Sequence, residues 1–268
     1  KLSVIHDTLF WDYPKNYNSL WRKYYIKLIN LGLRGNTSVI TTSKYAKRKL
    51  EKLFSKKTPS IIVIFQSFLK SKMDDDSILK TLSLIDSDYL LHVGSFDKRK
   101  DLITLVKAFK LLKEDTKNKH LKLVLAGKKI LNGNAEVLNE LERYILKNNL
   151  SKSVLMTGYL SNAEISSLYK NALIYVFPSI EEGFGIPILE AFEMKTPVVT
   201  SNAGAMVEVA QGAAEHYNAG DYIELFKTLT KLIISKPERT YLIEKGSKRL
   251  KDFSREKFID DYEQLILK

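Results

Sequence analysis

Leu173-Ile-Tyr-Val-Phe-Pro-Ser-Ile-Glu-Glu-Gly-Phe-Gly-Ile-Pro-Ile-Leu-Glu190 holds an apolar run, a loop with two glycines, and a second apolar run with a proline near its start. Leu173 to Phe177 read as a buried strand, Pro178-Ser179 ends it, and Pro187 suits the first turn of a helix over 186–193. Strand, glycine loop and helix N-terminus in that order form a phosphate-binding geometry. The glycines let backbone approach a ligand, and the helix end favours an anion. Glu182 and Glu190 frame the loop, and carboxylates so placed accept hydrogen bonds from the vicinal hydroxyls of a sugar or ribose.

Outward from this stretch the pattern is regular. Strands are predicted at 89–93, 121–126, 153–157, 173–177 and 197–200, with helices at 101–113, 135–147, 163–170, 186–193 and 221–234. Strands alternating with helices imply βαβ units and a parallel sheet covered on both faces, which binds ligands beyond the carboxyl ends of its strands. Upstream, a strand at 2–5 ends on His6-Asp7. A helix over 18–34, a strand at 38–42, a helix over 44–54 with Ser43 as its N-cap, and a strand at 60–65 follow. The polar, acidic stretch 66–88 has lost its periodicity and reads as a linker. The expected fold class is α/β with two Rossmann-like units. The first is expected to be incomplete, because a central-strand pattern at residue 2 calls for elements upstream or from another chain.

Composition narrows the chemistry. The 268 residues include no cysteine, which excludes a disulfide framework, a thiolate metal site and a cysteine nucleophile. No apolar run approaches the length of a membrane span, and the N-terminus lacks a signal-peptide pattern. The formal net charge is +12. Residues 1–86 carry 16 Lys+Arg against 7 Asp+Glu, and residues 87–268 carry 27 against 24. That asymmetry suits an anionic surface. In the helix over 18–34, Leu20, Tyr24, Leu28 and Leu31 share a face beside Trp21, Arg22, Lys23, Tyr25 and Lys27. This face either packs into the core or lies on anionic lipid. No aromatic-basic repeat or recognised module supports nucleic-acid binding. Asp74-Asp75-Asp76 reads as solvated linker rather than a metal site, and no metal is expected.

Residues 178–208 closely resemble the donor-binding signature of the retaining GT-B glycosyltransferases of family four. Leu90-Leu-His-Val-Gly-Ser-Phe-Asp-Lys-Arg-Lys-Asp101 resembles that family's segment with a basic pair for the pyrophosphate. Leu123-Val-Leu-Ala-Gly127, Gly158-Tyr-Leu-Ser161 and Leu168-Tyr169 fall where the family has a nucleotide-contacting turn, a base-contacting loop and a structural helix. Val4-Ile-His-Asp7 is similar to its His-Asp or His-Glu element at the donor sugar. The resemblance implies that Glu182 contacts the transferred sugar, Glu190 the ribose, and the backbone of Gly183, Phe184 and Gly185, with Ile186 beside them, the sugar and phosphates. Arg99 and Lys100 would neutralise the diphosphate leaving group, which also follows from charge alone. His6 would lie against the sugar. Gly94, Ser95, Gly127, Lys128, Tyr159 and Leu160 complete the implied donor site.

On this resemblance the domains are 1–86, a partial acceptor-side unit with linker; 87–250, the donor-binding domain; and 251–268, a C-terminal helix packing back toward the first. The implied activity is a metal-independent, retaining hexosyltransferase of polysaccharide or lipopolysaccharide synthesis. It would move mannose by first choice from a GDP- or UDP-sugar to a glycan or lipid-linked hydroxyl. Such a protein would be cytoplasmic, with peripheral contact at the cytoplasmic membrane face through the basic N-terminal third. The alternative is a donor-binding half, or an inactive subunit, needing a partner chain for the acceptor site. Two departures stand out: Ser95 occupies a position where many relatives have arginine, and Asp101 replaces a more frequent asparagine. The family's glycine-rich acceptor loop would precede residue 1.

Overall fold

Each strand and helix predicted above between residues 2 and 234 forms, with its ends shifted by no more than two residues, and the C-terminal helix placed at 251–268 runs over Arg255–Ile266. The computed structural model describes residues 2–14, 17–33, 38–54, 60–68, 74–127 and 135–267. The first unit comprises β1 (Leu2–Val4), α1 (Leu9–Asp12), α2 (Ser19–Gly32), β2 (Ser38–Thr41), α3 (Lys44–Leu53) and β3 (Ser60–Val63). After the short α4 (Ser77–Thr81), which lies inside the stretch read as a linker, come β4 (Tyr89–Val93), α5 (Leu102–Glu114), β5 (Lys122–Ala126), α6 (Ala135–Lys147), β6 (Val154–Gly158) and α7 (Asn162–Asn171). The chain continues through β7 (Ile174–Phe177), α8 (Ile186–Glu193), β8 (Val198–Ser201), α9 (Met206–Ala210), β9 (Glu215–Tyr217), α10 (Tyr222–Ile234), α11 (Lys236–Arg249) and α12 (Arg255–Ile266).

The strands form two parallel sheets, ordered β1-β2-β3 and β6-β5-β4-β7-β8-β9. In the larger sheet the order runs outward in both directions from the β4/β7 pair, so the connections after these two neighbours leave on opposite sides. The crevice between them is the place where such sheets hold ligands. Tyr89 to Val93 and Ile174 to Phe177 are buried throughout, which is why these strands read as continuous apolar runs without alternation. Each fully buried Leu, Val or Phe there contributes about 1.5–3 kcal/mol. The smaller sheet keeps a modest core of Ile5, Leu33, Val39, Leu50, Phe54 and Ile61.

Helix α2 bears on the two readings of its apolar face. Leu20, Trp21, Tyr24, Leu28 and Leu31 are 77%, 68%, 57%, 45% and 44% exposed, so its apolar stripe is not buried in the core. The two units meet through an aromatic joint. Phe65 lies 6.1 Å from Phe184 and 5.5 Å from Phe253, and the Arg249 guanidinium sits over both the Phe65 and Phe253 rings. Phe258 and Tyr262 of α12 face the carboxyl ends of the small sheet across a cavity of about 440 Å3, lined also by Val4, His6, Ile40, Thr42, Gln66 and Ile186.

Candidate donor site

Three strand ends are drawn together by glycines. Gly94 N–H donates to Ala126 O (2.9 Å), and Gly127 N–H donates to Gly158 O (3.1 Å). A Cβ on Gly127 would stand 1.8 Å from Gly94 O, so the close approach of the two chains excludes any side chain there. Gly158 turns the chain with φ +77°, ahead of Tyr159, which is 80% exposed, and Leu160, which rests on the core. Lys128 lies outside the described residues.

The basic pair follows β4 on a 3-10 turn, Lys98–Lys100, capped by Asp97, whose Oδ1 accepts from Arg99 N–H at 3.0 Å. Asp97 Oδ2 accepts from Ser95 Oγ (2.8 Å) and from Arg99 Nη2 (3.1 Å), so Ser95 is turned onto Asp97. The turn ends on Asp101 in the left-handed conformation (φ 45°), which Asn and Asp tolerate best among residues with a Cβ.

Arg99 and Lys100 converge on one atom. Lys100 Nζ lies 2.6 Å from Glu182 Oε1 and Arg99 Nη1 lies 3.2 Å from it. The Lys100 side chain is buried, with its ammonium 4.7 Å from the Phe177 ring centroid. Arg99 also donates from Nη1 to Glu181 O (3.3 Å), while its own carbonyl accepts from Ile180 N–H (2.8 Å). The loops after β4 and β7 are therefore zipped together across the crevice. Burial works against the Arg99 charge, but Glu182 and Asp97 more than offset it and its pKa is raised. Burial pushes the Asp7 carboxyl up, against the pull of a backbone N–H and Arg99. A diphosphate entering here would take over cations that Glu182 now neutralises.

The glycine loop is fixed from both sides. Glu182 O accepts from Ala205 N–H (3.1 Å), and Gly204 (φ +59°) passes so close that a Cβ would lie 2.8 Å from Glu182 N. Gly183 O accepts from Ser43 Oγ (2.6 Å), and a Cβ on Gly183 would meet Asp7 Cβ at 2.6 Å. The Gly183 carbonyl thus holds the N-terminal unit. Phe184 is buried in the aromatic joint, Gly185 opens α8 with φ +115°, and Ile186 lines the cavity beside His6. Glu190 lies on α8, where its Oε2 accepts from Tyr169 OH (3.1 Å) and burial raises its pKa. His6 is exposed at the end of β1, and its Nδ1 pairs with Gln66 Nε2 at 2.8 Å.

Arg99, Lys100 and Glu182 are thus brought into direct contact. Gly94 and Gly127 abut, Ser95 joins the same cluster through Asp97, and Glu190 and His6 stand apart from its ion pairs. Three participants were not singled out in the sequence. Asp97 orders both Ser95 and Arg99. Glu181 pairs with the other unit, accepting from Tyr13 OH (3.1 Å), Tyr45 OH (3.0 Å) and Lys49. His92 is fully buried on β4, with Nδ1 3.1 Å from Val176 O and Nε2 unpartnered. The Glu181-Glu182 doublet was a usable signal; nothing in the sequence marked His92, which lies inside an apolar strand.

A doubly wound parallel domain with a cation–carboxylate cluster at its switch point, joined to a second parallel unit, defines a chain of the GT-B fold. The sequence profile of the glycosyl transferases group 1 matches residues 75–249, and the chain belongs to that family. It is 25% identical over 217 residues to the O-antigen chain mannosyltransferase B of Escherichia coli, covering 79% of this chain and 55% of the relative. It is 28% identical over 218 residues to the O-antigen chain mannosyltransferase RfbU of Salmonella typhimurium, covering 81% and 56%. The chain therefore spans about half the length of these curated relatives. Among solved structures, sucrose-phosphate synthase from Thermosynechococcus elongatus superposes with a TM-score of 0.80 at 23% identity, over 99% of this chain and 66% of that one. Anabaena HepE in complex with UDP and glucose gives 0.77 at 18%, over 99% and 70%.

Proposed function

We propose that this chain transfers a hexose from a nucleoside diphosphate sugar to a hydroxyl of a glycan or lipid-linked acceptor, with retained configuration and no metal ion. The observation that carries the reading is the meeting of Arg99 and Lys100 with Glu182 at the β4/β7 switch point. As the bond to the sugar breaks, charge develops on the departing diphosphate, and fixed cations in a partly buried site stabilise it. Glu182, released from Arg99 and Lys100 by the incoming phosphates, is free to accept from sugar hydroxyls. We favour leaving-group stabilisation by Arg99 and Lys100, with attack by the acceptor on the same face, over a covalent enzyme intermediate on Glu182. Glu190 would take the ribose, and His6 the sugar from the side of the N-terminal unit. Mannose is supported by the names of the relatives. GDP and UDP both remain candidate nucleotides, UDP through the HepE complex.

The exposed stripe of α2 supports contact with the cytoplasmic face of an anionic membrane. Among the described residues no helix is long and apolar enough to cross one, whereas an apolar face flanked by Arg22, Lys23 and Lys27 suits the interface. A second reading is a donor-binding half that works with a partner chain providing the acceptor site. Incubation of the purified chain with GDP-mannose or UDP-glucose and a panel of glycan acceptors separates the readings. Transfer by the chain alone supports the enzyme, and nucleotide binding without transfer supports the half.

A further inference from the structure

We infer that Glu181 is a positioning residue: its side chain anchors the N-terminal unit while its main chain holds Arg99, so that the docking of that unit sets the geometry of Arg99 and Glu182. Both of its carboxylate oxygens accept from the N-terminal unit, one from the segment after α1 and one from α3. Oε2 accepts from Tyr13 OH (3.1 Å), next to α1, and Oε1 accepts from Tyr45 OH (3.0 Å) and from Lys49, both on α3. Lys49 is itself fixed to Asp12 at 2.6 Å, which ties α1 and α3 to one another at the contact.

The carbonyl of the same residue accepts from Arg99 Nη1 (3.3 Å). Successive residues then alternate between the two units: Glu182 turns its carboxylate to Arg99 and Lys100, and Gly183 turns its carbonyl to Ser43 Oγ (2.6 Å). A rigid body shift of α3 is transmitted through one peptide to the cations. Beside this, Glu208 accepts from Lys44 N–H (2.8 Å) and Tyr45 N–H (3.2 Å), a carboxylate on the N-terminus of α3 that keeps that helix end in register with α9. The Glu181 side chain is only 15% exposed, so its charge-assisted bonds are stronger than those of a surface pair.

The test has two arms, one of which does not depend on the proposed reaction. The chain has no cysteine, so Lys52→Cys on α3 and Lys236→Cys on α11 accept spin labels specifically. The distance between them should be narrow in the parent and broadened in Glu181→Gln, with a melting temperature near the parent's. Lys49→Met should broaden it in the same way, and decides the matter if Glu181→Gln does not fold. In the second arm, turnover of GDP-mannose or UDP-glucose should fall about tenfold or more in Glu181→Gln, and nucleoside diphosphate affinity should fall with it, because Arg99 is displaced from the cradle. An unchanged distance distribution overturns the inference, whether or not turnover falls. A parent chain that turns over neither sugar nucleotide counts against the proposed reaction, and the label distances still decide the role of Glu181.

Discussion

Lys100 Nζ and Glu182 Oε1 lie 2.6 Å apart, and the Arg99 guanidinium shares the same oxygen at 3.2 Å. The site is therefore self-neutralised, and on the proposed function a diphosphate would compete with Glu182 for both cations. Glu182→Gln should bind a nucleoside diphosphate several-fold more tightly than the parent, because the cations are released. The same variant should transfer sugar about 100-fold more slowly, because the acceptor of the sugar hydroxyls is weakened. Calorimetric titration paired with a transfer assay reads the two effects. A variant that loses both together would mean that Glu182 holds the site's fold rather than its ligand.

The contact of Gly127 with Gly94 makes a purely steric prediction. Gly127→Ala places a methyl where the nearest heavy atom is 1.8 Å away, and a backbone carbonyl has little freedom to withdraw. The cost should be about 1–3 kcal/mol or more of stability, read as a lower urea midpoint with an unchanged slope. A variant as stable as the parent would show that β4 and β5 part more easily than their pairing implies.

Burial, and after it the charge of Lys100, hold the His92 imidazole at about 3 against an ordinary 6.5. In the unfolded chain the ring charges near its ordinary value, so between these two values the unfolded state binds the extra proton. Stability is therefore fully present above about 6.5 and is lost as pH falls toward about 3. His92→Phe should flatten that acid limb in urea midpoints measured between pH 7 and pH 4. An unchanged pH slope in the variant would contradict a buried neutral imidazole.

Glu190 moves the other way. Burial raises its pKa, opposed by the Tyr169 hydroxyl, so the protonated form is favoured in the fold and stability is lost as pH rises through the raised value. Glu190→Gln keeps an acceptor for Tyr169 and removes the buried charge. Its melting temperature relative to the parent should be higher at pH 7 than at pH 4.5. Its affinity for a nucleoside diphosphate should fall, if the carboxylate holds the ribose. Equal stability differences at the two pH values would contradict the burial of a charge there.

How far the sequence could be read depended on the range of the interactions. The regular strands and helices from Tyr89 onward were legible because burial on both faces leaves unbroken apolar runs and the connections carry Gly, Pro and Asn. Arg99, Lys100 and Glu182 were legible as types in a strand-to-loop context. Their sharing of one oxygen was not, since it depends on two loops 82 residues apart meeting across the sheet. Short elements held mainly by their neighbours went unread: α1, α4, α9 and β9 contain three to five residues each, too few to show a period. The long α11 was missed because its polar composition shows little amphipathic pattern, and it is tied down largely by Leu242, Gly246 and Arg249. The α2 stripe had the right period for a core-facing helix. Periodicity says which residues share a face, not what covers it.

The central claim is that Arg99 and Lys100 form the cradle of a nucleoside diphosphate. Calorimetric titration of GDP and of UDP into the purified chain, and into Arg99→Ala/Lys100→Ala, tests it most directly. At least one of the two nucleotides should bind the parent saturably, and the double variant should lose about 100-fold or more in affinity while melting as a folded protein. Equal binding by the parent and a folded double variant, or no binding of either nucleotide by the parent, would contradict the account.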